Sequence, residues 1–256
     1  MPSAQPFGNC SKPLLVALLV FAGCDLGGQY EARFAKALTE SGQRAHFDEK
    51  LYPTEIEEIK DAAGTATGVK LRLPKLFDGE SKSLPATEAR AQPPFGAIPG
   101  LSYALERQID DNQEGEKKQF LPVYAYFAAV PKADQKADAL QAALQQQFGG
   151  ALPGAAWGDA ILATPDGQSV PLKRLRGNGQ QEFMNFQANK PVRVDGRFDL
   201  YLIDAPAHHV LIGWRSPKAQ GEKYQYEAAT EVAMGTISIA NAPAAAPPAA
   251  KAPGCF

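Results

Sequence analysis

The run Phe120–Val130, FLPVYAYFAAV, holds eleven residues without a charge. Aromatic and β-branched side chains favour the extended backbone, so it reads as a strand partly buried on both faces, and a sheet becomes the centre of the fold. The surroundings fit. Val69-Lys70-Leu71-Arg72-Leu73 alternates apolar and polar at the strand period of two, and Pro74 ends it. Leu84–Pro99 is a proline-rich irregular stretch, and Leu101–Ile109 reads as a strand. Lys132–Phe148 is the plainest helix, with Ala133, Ala137, Leu140, Leu144 and Phe148 on one face and Gly149-Gly150 as its stop. Trp157–Ala163 and Val170–Arg176 are extended. Gly177-Asn178-Gly179 then has the composition of a hairpin turn leading into Glu182–Gln187. Arg197–Asp204 and His209–Arg215 read as two more strands, and Lys223–Ile239 as a final helix with Tyr224, Ala228 and Val232 inward. This order predicts an α+β domain, an antiparallel sheet of about six or seven strands with helices packed on one face.

Both ends of the chain differ in texture. Leu14–Phe21 is apolar but far shorter than the roughly 20 residues that span a bilayer. With Lys12 before it and Ala22-Gly23 after it, the segment has the parts of a secretory signal. Ala22-Gly23-Cys24 resembles the lipobox of bacterial lipoproteins, with Phe21 where that family prefers Leu or Val. The resemblance implies that residues 1–23 are removed and that Cys24 is diacylated, tethering an exported chain to a membrane by lipid at its periplasmic or extracytoplasmic face. The other reading of the segment is a buried strand or helix with an incidental cysteine. Residues 24–66 read as a helical lead-in. Tyr30, Phe34 and Leu38 recur at four-residue spacing, and Thr54 with Glu57 fits a capping box. Residues 67–240 form the globular domain. Residues 241–256 are an Ala/Pro-rich tail with too little apolar surface to offset ordering. The element order over Val69–Ile239 is similar to the PsbP-like fold, a resemblance that implies the same α+β class and transfers no site residue.

Charge and cysteine content narrow the function. The formal net charge is -2, and loss of residues 1–23 removes Lys12 alone among charged residues. Such a balance gives no electrostatic reason to expect nucleic acid, which usually demands a basic face or domain. Of three cysteines, Cys10 leaves with the signal, Cys24 carries lipid and Cys255 stands alone. A disulfide framework and a cysteine zinc site are thereby excluded from the lipidated form.

Residues able to do chemistry are scattered. His208 and His209 are adjacent, so on a strand they point to opposite faces, one ring exposed and one packed. His46 stands alone in a polar stretch. Asp110–Gly115 opens like a calcium loop, but Leu121 occupies the twelfth position where a bidentate Glu is needed, and a solvated hairpin turn fits better. No metal or cofactor is expected. Lys173, Arg174 and Arg176 cluster beside the Gly-Asn-Gly turn, with Lys190 and Arg193 as neighbours. They either keep a hairpin tip soluble or contact a partner or phospholipid headgroups, worth about 1 kcal/mol per basic residue near an anionic surface. Phe183, Phe186, Tyr201, Trp214, Tyr124 and Tyr126 read as core. Gly-x-Ser-x-Gly, His-Glu-x-x-His and phosphate-loop motifs are absent from the sequence. Two functions follow: a non-catalytic, lipid-anchored binding or assembly module with an envelope protein as possible partner, or a hydrolase or metal-dependent enzyme with an acid/base pair drawn from Glu182, Asp199, Asp204 and His209.

Overall fold

In a computed structural model of the chain, Phe120–Pro131 is the third strand of a seven-stranded sheet, and every residue from Leu121 to Val130 is buried. The structure describes residues 49–51, 57–77, 81–110, 120–163 and 169–240. In chain order these form β1 (Glu57–Lys60), β2 (Ala66–Leu71), β3 (Lys82–Pro85), β4 (Leu101–Asp110), β5 (Phe120–Pro131), α1 (Ala137–Gly149), β6 (Ala156–Ala163), β7 (Ser169–Asn185), β8 (Lys190–Asp204), β9 (His208–Pro217), α2 (Lys218–Lys223), α3 (Tyr226–Met234) and β10 (Ser238–Ile239). The large sheet has the order β3-β4-β5-β9-β8-β7-β6 and the small one β1-β2-β10, all neighbours antiparallel.

Alternation along β5 splits the core in two. Val123, Ala125, Phe127 and Ala129 face the small sheet and α3, where Val69, Leu71, Ala233 and Met234 close the layer. Tyr124, Tyr126, Ala128 and Val130 face α1, which supplies Leu140, Leu144 and Phe148, with Leu84 and Ile98 from the segment before β4. A strand apolar on both faces needs cover on both, and the chain provides it.

The α+β expectation is therefore corrected. The fold is mainly β, with ten strands in two antiparallel sheets and three helices among the described residues. Three local readings account for the difference. First, the capping-box helix from Thr54 is overturned at Glu57–Lys60, which is β1, with Ile59 fully buried against the core. Second, Lys223–Ile239 is not one helix. Gln225 adopts a left-handed conformation with φ 50° between α2 and α3, and the segment ends in β10, which completes the small sheet. The buried stripe is Tyr226, Ala229, Thr230, Ala233 and Met234, in place of Tyr224, Ala228 and Val232. Third, Gly177-Asn178-Gly179 does not turn. It runs inside β7, opposite Phe198, Arg197 and Gly196 of β8. Gly177 is needed for packing: a Cβ there would lie 2.8 Å from Cβ of Leu152. The turn falls instead after Asn185, whose Oδ1 accepts the backbone N–H groups of Gln187 and Ala188, and uses Asn189 at φ 47°.

Smaller differences sit at element ends. α1 begins at Ala137 and not Lys132, β8 reaches back to Lys190, and β3 ends in the first two residues of the proline-rich stretch. The signal segment, Cys10, Cys24, the Tyr30–Leu38 helix, His46, most of the calcium-like loop, the tail and Cys255 lie outside the described residues. No helix among the described residues is long and apolar enough to cross a membrane.

Candidate functional site

Paired residues on neighbouring strands share a face, so the ladder places Arg174 beside Tyr201, Arg176 beside Asp199 and Asn178 beside Arg197 on one side of β7 and β8. Helix α3 carries Glu227 and Glu231, one helical turn apart, over the same side. Asp199, only 4% exposed, is the hub. Its Oδ1 accepts from Nε of Arg174 at 3.1 Å and of Arg176 at 2.8 Å, and its Oδ2 from Nε of Arg197 at 2.7 Å. The outer nitrogens reach α3. Glu231 accepts from Arg174 and Arg176, each at 3.2 Å. Glu227 pairs with Arg176 at 3.2 Å and with Nη1 of Arg197.

Three guanidinium groups thus balance three carboxylates. A buried carboxylate is several kcal/mol too costly to leave unpaired, and the three arginine donors compensate Asp199. Arg174 also lies 5.0 Å over the Tyr201 ring. Burial, then the Asp199 charge, pushes the Tyr201 hydroxyl well above its ordinary range. For Arg176, burial opposes the charged form, but the hydrogen bond and charge of Asp199 outweigh it and raise the pKa.

Beside this network α2, α3 and the strands β7, β8 and β9 enclose a cleft of about 780 Å³. Asn178, Arg197, Trp214, Ser216, Glu222 and Glu227 are among its walls. Two buried donors there, Nη2 of Arg197 and Nε1 of Trp214, have no hydrogen-bond partner.

The sequence-selected basic residues are not one cluster. Lys173 points to the opposite face from Arg174 and Arg176 and pairs with Asp159 at 2.5 Å. Arg193 lies opposite Glu182 and Lys190 opposite Asn185, about 20 Å or more along the ladder from Arg176. The aromatic residues Tyr124, Tyr126, Phe183, Tyr201 and Trp214 are buried, and Phe186 is half-buried.

His208 and His209 are both buried, which corrects the expectation of one exposed ring. Nε2 of His208 lies 3.4 Å from Oδ2 of Asp61, and Nδ1 of His209 lies 3.3 Å from Oδ1 of Asp204. Backbone hydrogen bonding from Thr65 holds the Asp61 carboxyl below its ordinary pKa, against the effect of burial. Asp199 pairs in the ladder with Trp214, and Asp204 with His209, so Asp199 and His209 are about 17 Å apart. Of the residues considered for acid/base chemistry, Asp204 and His209 therefore lie together, whereas Asp199 is engaged by its three arginines. No group of three His, Cys, Asp or Glu residues among those described is placed to hold a metal ion.

Sequence reasoning missed Glu227, Glu231 and Arg197. The available signal was complementarity: acids one turn apart on a C-terminal helix, and basic residues two apart on a strand. Assigning Gly177–Gly179 to a turn hid it, because Arg174 and Arg176 then sat at a hairpin tip. No protein-family model matches the chain, and no curated protein matches it.

Proposed function

We propose that the chain is a non-catalytic binding module, held by lipid on Cys24 at the extracytoplasmic face of a bacterial membrane, whose ligand enters the cleft beside α3. The cleft carries this reading: its volume of about 780 Å³ lies in the range of small-molecule sites. The charged side chains next to it are already fixed by one another, Asp199 by three arginines and those arginines by Glu227 and Glu231. Groups held in place before a ligand arrives suit binding, because less ordering remains to be done on association. Proton transfer asks for the reverse, a titratable group able to change charge in the site.

The anchor rests on the Ala22-Gly23-Cys24 motif. One acyl chain binds a bilayer only marginally at about 0.8 kcal/mol per buried methylene, whereas two or more hold firmly. Metabolic labelling with a radioactive fatty acid, followed by separation of membrane and soluble fractions, tests it. The wild-type chain is expected to carry label and sediment with membranes. Cys24→Ser is expected to lose both label and sedimentation. Label retained by Cys24→Ser, or absent from the wild type, overturns the anchored reading.

A further inference from the structure

We infer that β6 is a self-association edge, along which two copies of the chain join their large sheets antiparallel about a two-fold axis through Ile161.

The large sheet ends in β3 on one side and in β6 on the other. An open edge presents unpaired backbone N–H and C=O groups, and proteins blunt such edges with short strands, charges and proline. β3 is blunted in all three ways: it has four residues, begins with Lys82 and ends with Pro85. The small sheet is protected too, by β1 with Glu57, Glu58 and Lys60 among its four residues and by β10 with only two residues. β6 differs. It runs for eight residues without proline, AWGDAILA, and among the described residues it pairs with β7 alone. Its one charge, Asp159, is already tied to Lys173 of β7 at 2.5 Å. Ile161 is 73% exposed, the one large apolar side chain so exposed among the described residues. A single exposed isoleucine is ordinary on a surface. On the unblunted edge of a sheet it is what a pairing strand would cover.

The residues of β6 suit a second β6. Trp157, Asp159 and Ile161 share the sheet face of α1, and Gly158, Ala160 and Leu162 share the other. α1 is tied to the start of the strand, where Nε1 of Trp157 donates to the Gln141 carbonyl at 3.0 Å, while Asp159 and Ile161 further along are exposed. A two-fold axis normal to the sheet keeps each face common to both copies. It must then pass through a residue, because an axis between two residues would set opposite faces against each other. Axes through Trp157 or Gly158 leave Ile161 outside the pairing, and one through Leu162 pairs only Ile161–Ala163 of the strand. An axis through Asp159 opposes two like charges, which destabilises a strand pair. One through Ala160 sets each isoleucine against an aspartate. Through Ile161, the two isoleucines oppose each other, Ala160 opposes Leu162, and Asp159 falls opposite Ala163 without meeting another charge. With the other edges blunted, assembly stops at two copies, each contributing seven strands to the joined sheet. Neither the cleft nor Cys24 takes part.

Sedimentation velocity of the full chain in mild detergent, over a micromolar concentration series, reads the oligomeric state. The wild type is expected to pass from monomer to dimer as concentration rises. Ile161→Lys sets two like charges against each other at the axis and is expected to weaken the dimer at least about tenfold. Its thermal melt is expected to match the wild type, because the side chain it replaces is exposed. Disulfide trapping in a Cys255→Ser background, read against that background alone, checks the register. Ile161→Cys brings identical positions to strand-pair spacing, with Cα atoms about 4.5–5.5 Å apart, which a disulfide can bridge, and is expected to cross-link. Asp159→Cys is offset from its copy by the four positions between Asp159 and Ala163, about 13 Å, and is expected not to cross-link. A wild type that stays monomeric throughout overturns the inference. Slow amide exchange along β6 would then assign the edge to another segment of the same chain, and fast exchange would leave it for a different protein. A dimer indifferent to Ile161→Lys overturns the inference by placing the contact elsewhere. A dimer lost in Ile161→Lys but trapped through Asp159→Cys overturns the axis and keeps the edge.

Discussion

Helices α1 and α3 cover opposite faces of the same sheet by different physics. α1 docks with Leu140, Leu144 and Phe148, all without exposed surface, and Phe148 meets the rings of Phe95 and Phe198 at 5.5 and 5.3 Å. α3 docks with Tyr226, Ala229, Ala233 and Met234, but its outer edge is tied by Glu227 and Glu231 to three arginines. The first attachment is non-directional and scales with apolar area. The second fixes geometry at little net gain, since replacing a buried ion-pair cluster by apolar residues is often neutral or stabilising. A fold that needed only cover for β7 and β8 could have used leucines. The ionic edge fixes the position of α3 on the face that borders the cleft.

Removing an anchor from each side should expose the contrast. Phe148→Ala empties a fully buried site between two rings and is expected to lower unfolding free energy by about 3–5 kcal/mol, read from urea denaturation. This loss should be nearly independent of salt, as for any apolar contact. Asp199→Asn leaves three guanidinium groups around a neutral amide. Because those arginines are partly exposed and can turn to water, the expected loss is near the low end for breaking a buried pair, about 3 kcal/mol. A loss under 1 kcal/mol in the same denaturation series would show that Asp199 is not the hub.

The same contrast decides what was legible in the sequence. β5 follows from composition alone, because a long uncharged run leaves the backbone few alternatives to a buried strand, and β4, β6 and β9 were legible as extended runs beside it. α1 was legible for the same reason: its stripe of Leu140, Leu144 and Phe148 is apolar and periodic. The stripe of α3 was misread because between Tyr226 and Met234 it is made of Ala229, Thr230 and Ala233, small or polar residues that resemble the surface residues among them. The Gly177–Gly179 error has another origin. Glycine marks a turn when a positive φ is needed, but it equally marks a close approach, and the approach of Leu152 is invisible without the fold. The candidate site depended on both misread segments, so its residues were read one at a time and their convergence on Asp199 was not.

Alkaline pH should act on the α1 side through Tyr126, which is fully buried beside Arg215. Burial pushes its hydroxyl from 10.0 up to about 12, and the nearby guanidinium only partly offsets this without making a hydrogen bond of normal geometry. Below pH 10 the group is protonated in folded and unfolded chains alike. Between pH 10 and 12 only the unfolded chain gives up the proton, so stability falls across that window by about 2–3 kcal/mol. Tyr126→Phe is expected to flatten this part of the pH–stability curve, with other buried tyrosines such as Tyr124 and Tyr201 still contributing to the residual slope. An unchanged slope in Tyr126→Phe would remove Tyr126 from the account.

The smallest effect distinguishes the two attachments most directly. Glu227 and Glu231 are 45% and 48% exposed, and pairs at such exposure contribute about 0–1 kcal/mol each. Glu227→Gln with Glu231→Gln should therefore cost under about 2 kcal/mol together. That cost should shrink as ionic strength rises from 0.01 to 1 M, because the Debye length falls from about 30 to 3 Å. Phe148→Ala should show no such convergence with the wild type. If the double variant keeps its full deficit in 1 M salt, the edge of α3 is held by shape and hydrogen bonding and not by charge. In that case the arginines would hold Asp199 unaided, and a ligand oxygen could take the place of either glutamate without disturbing the sheet beneath.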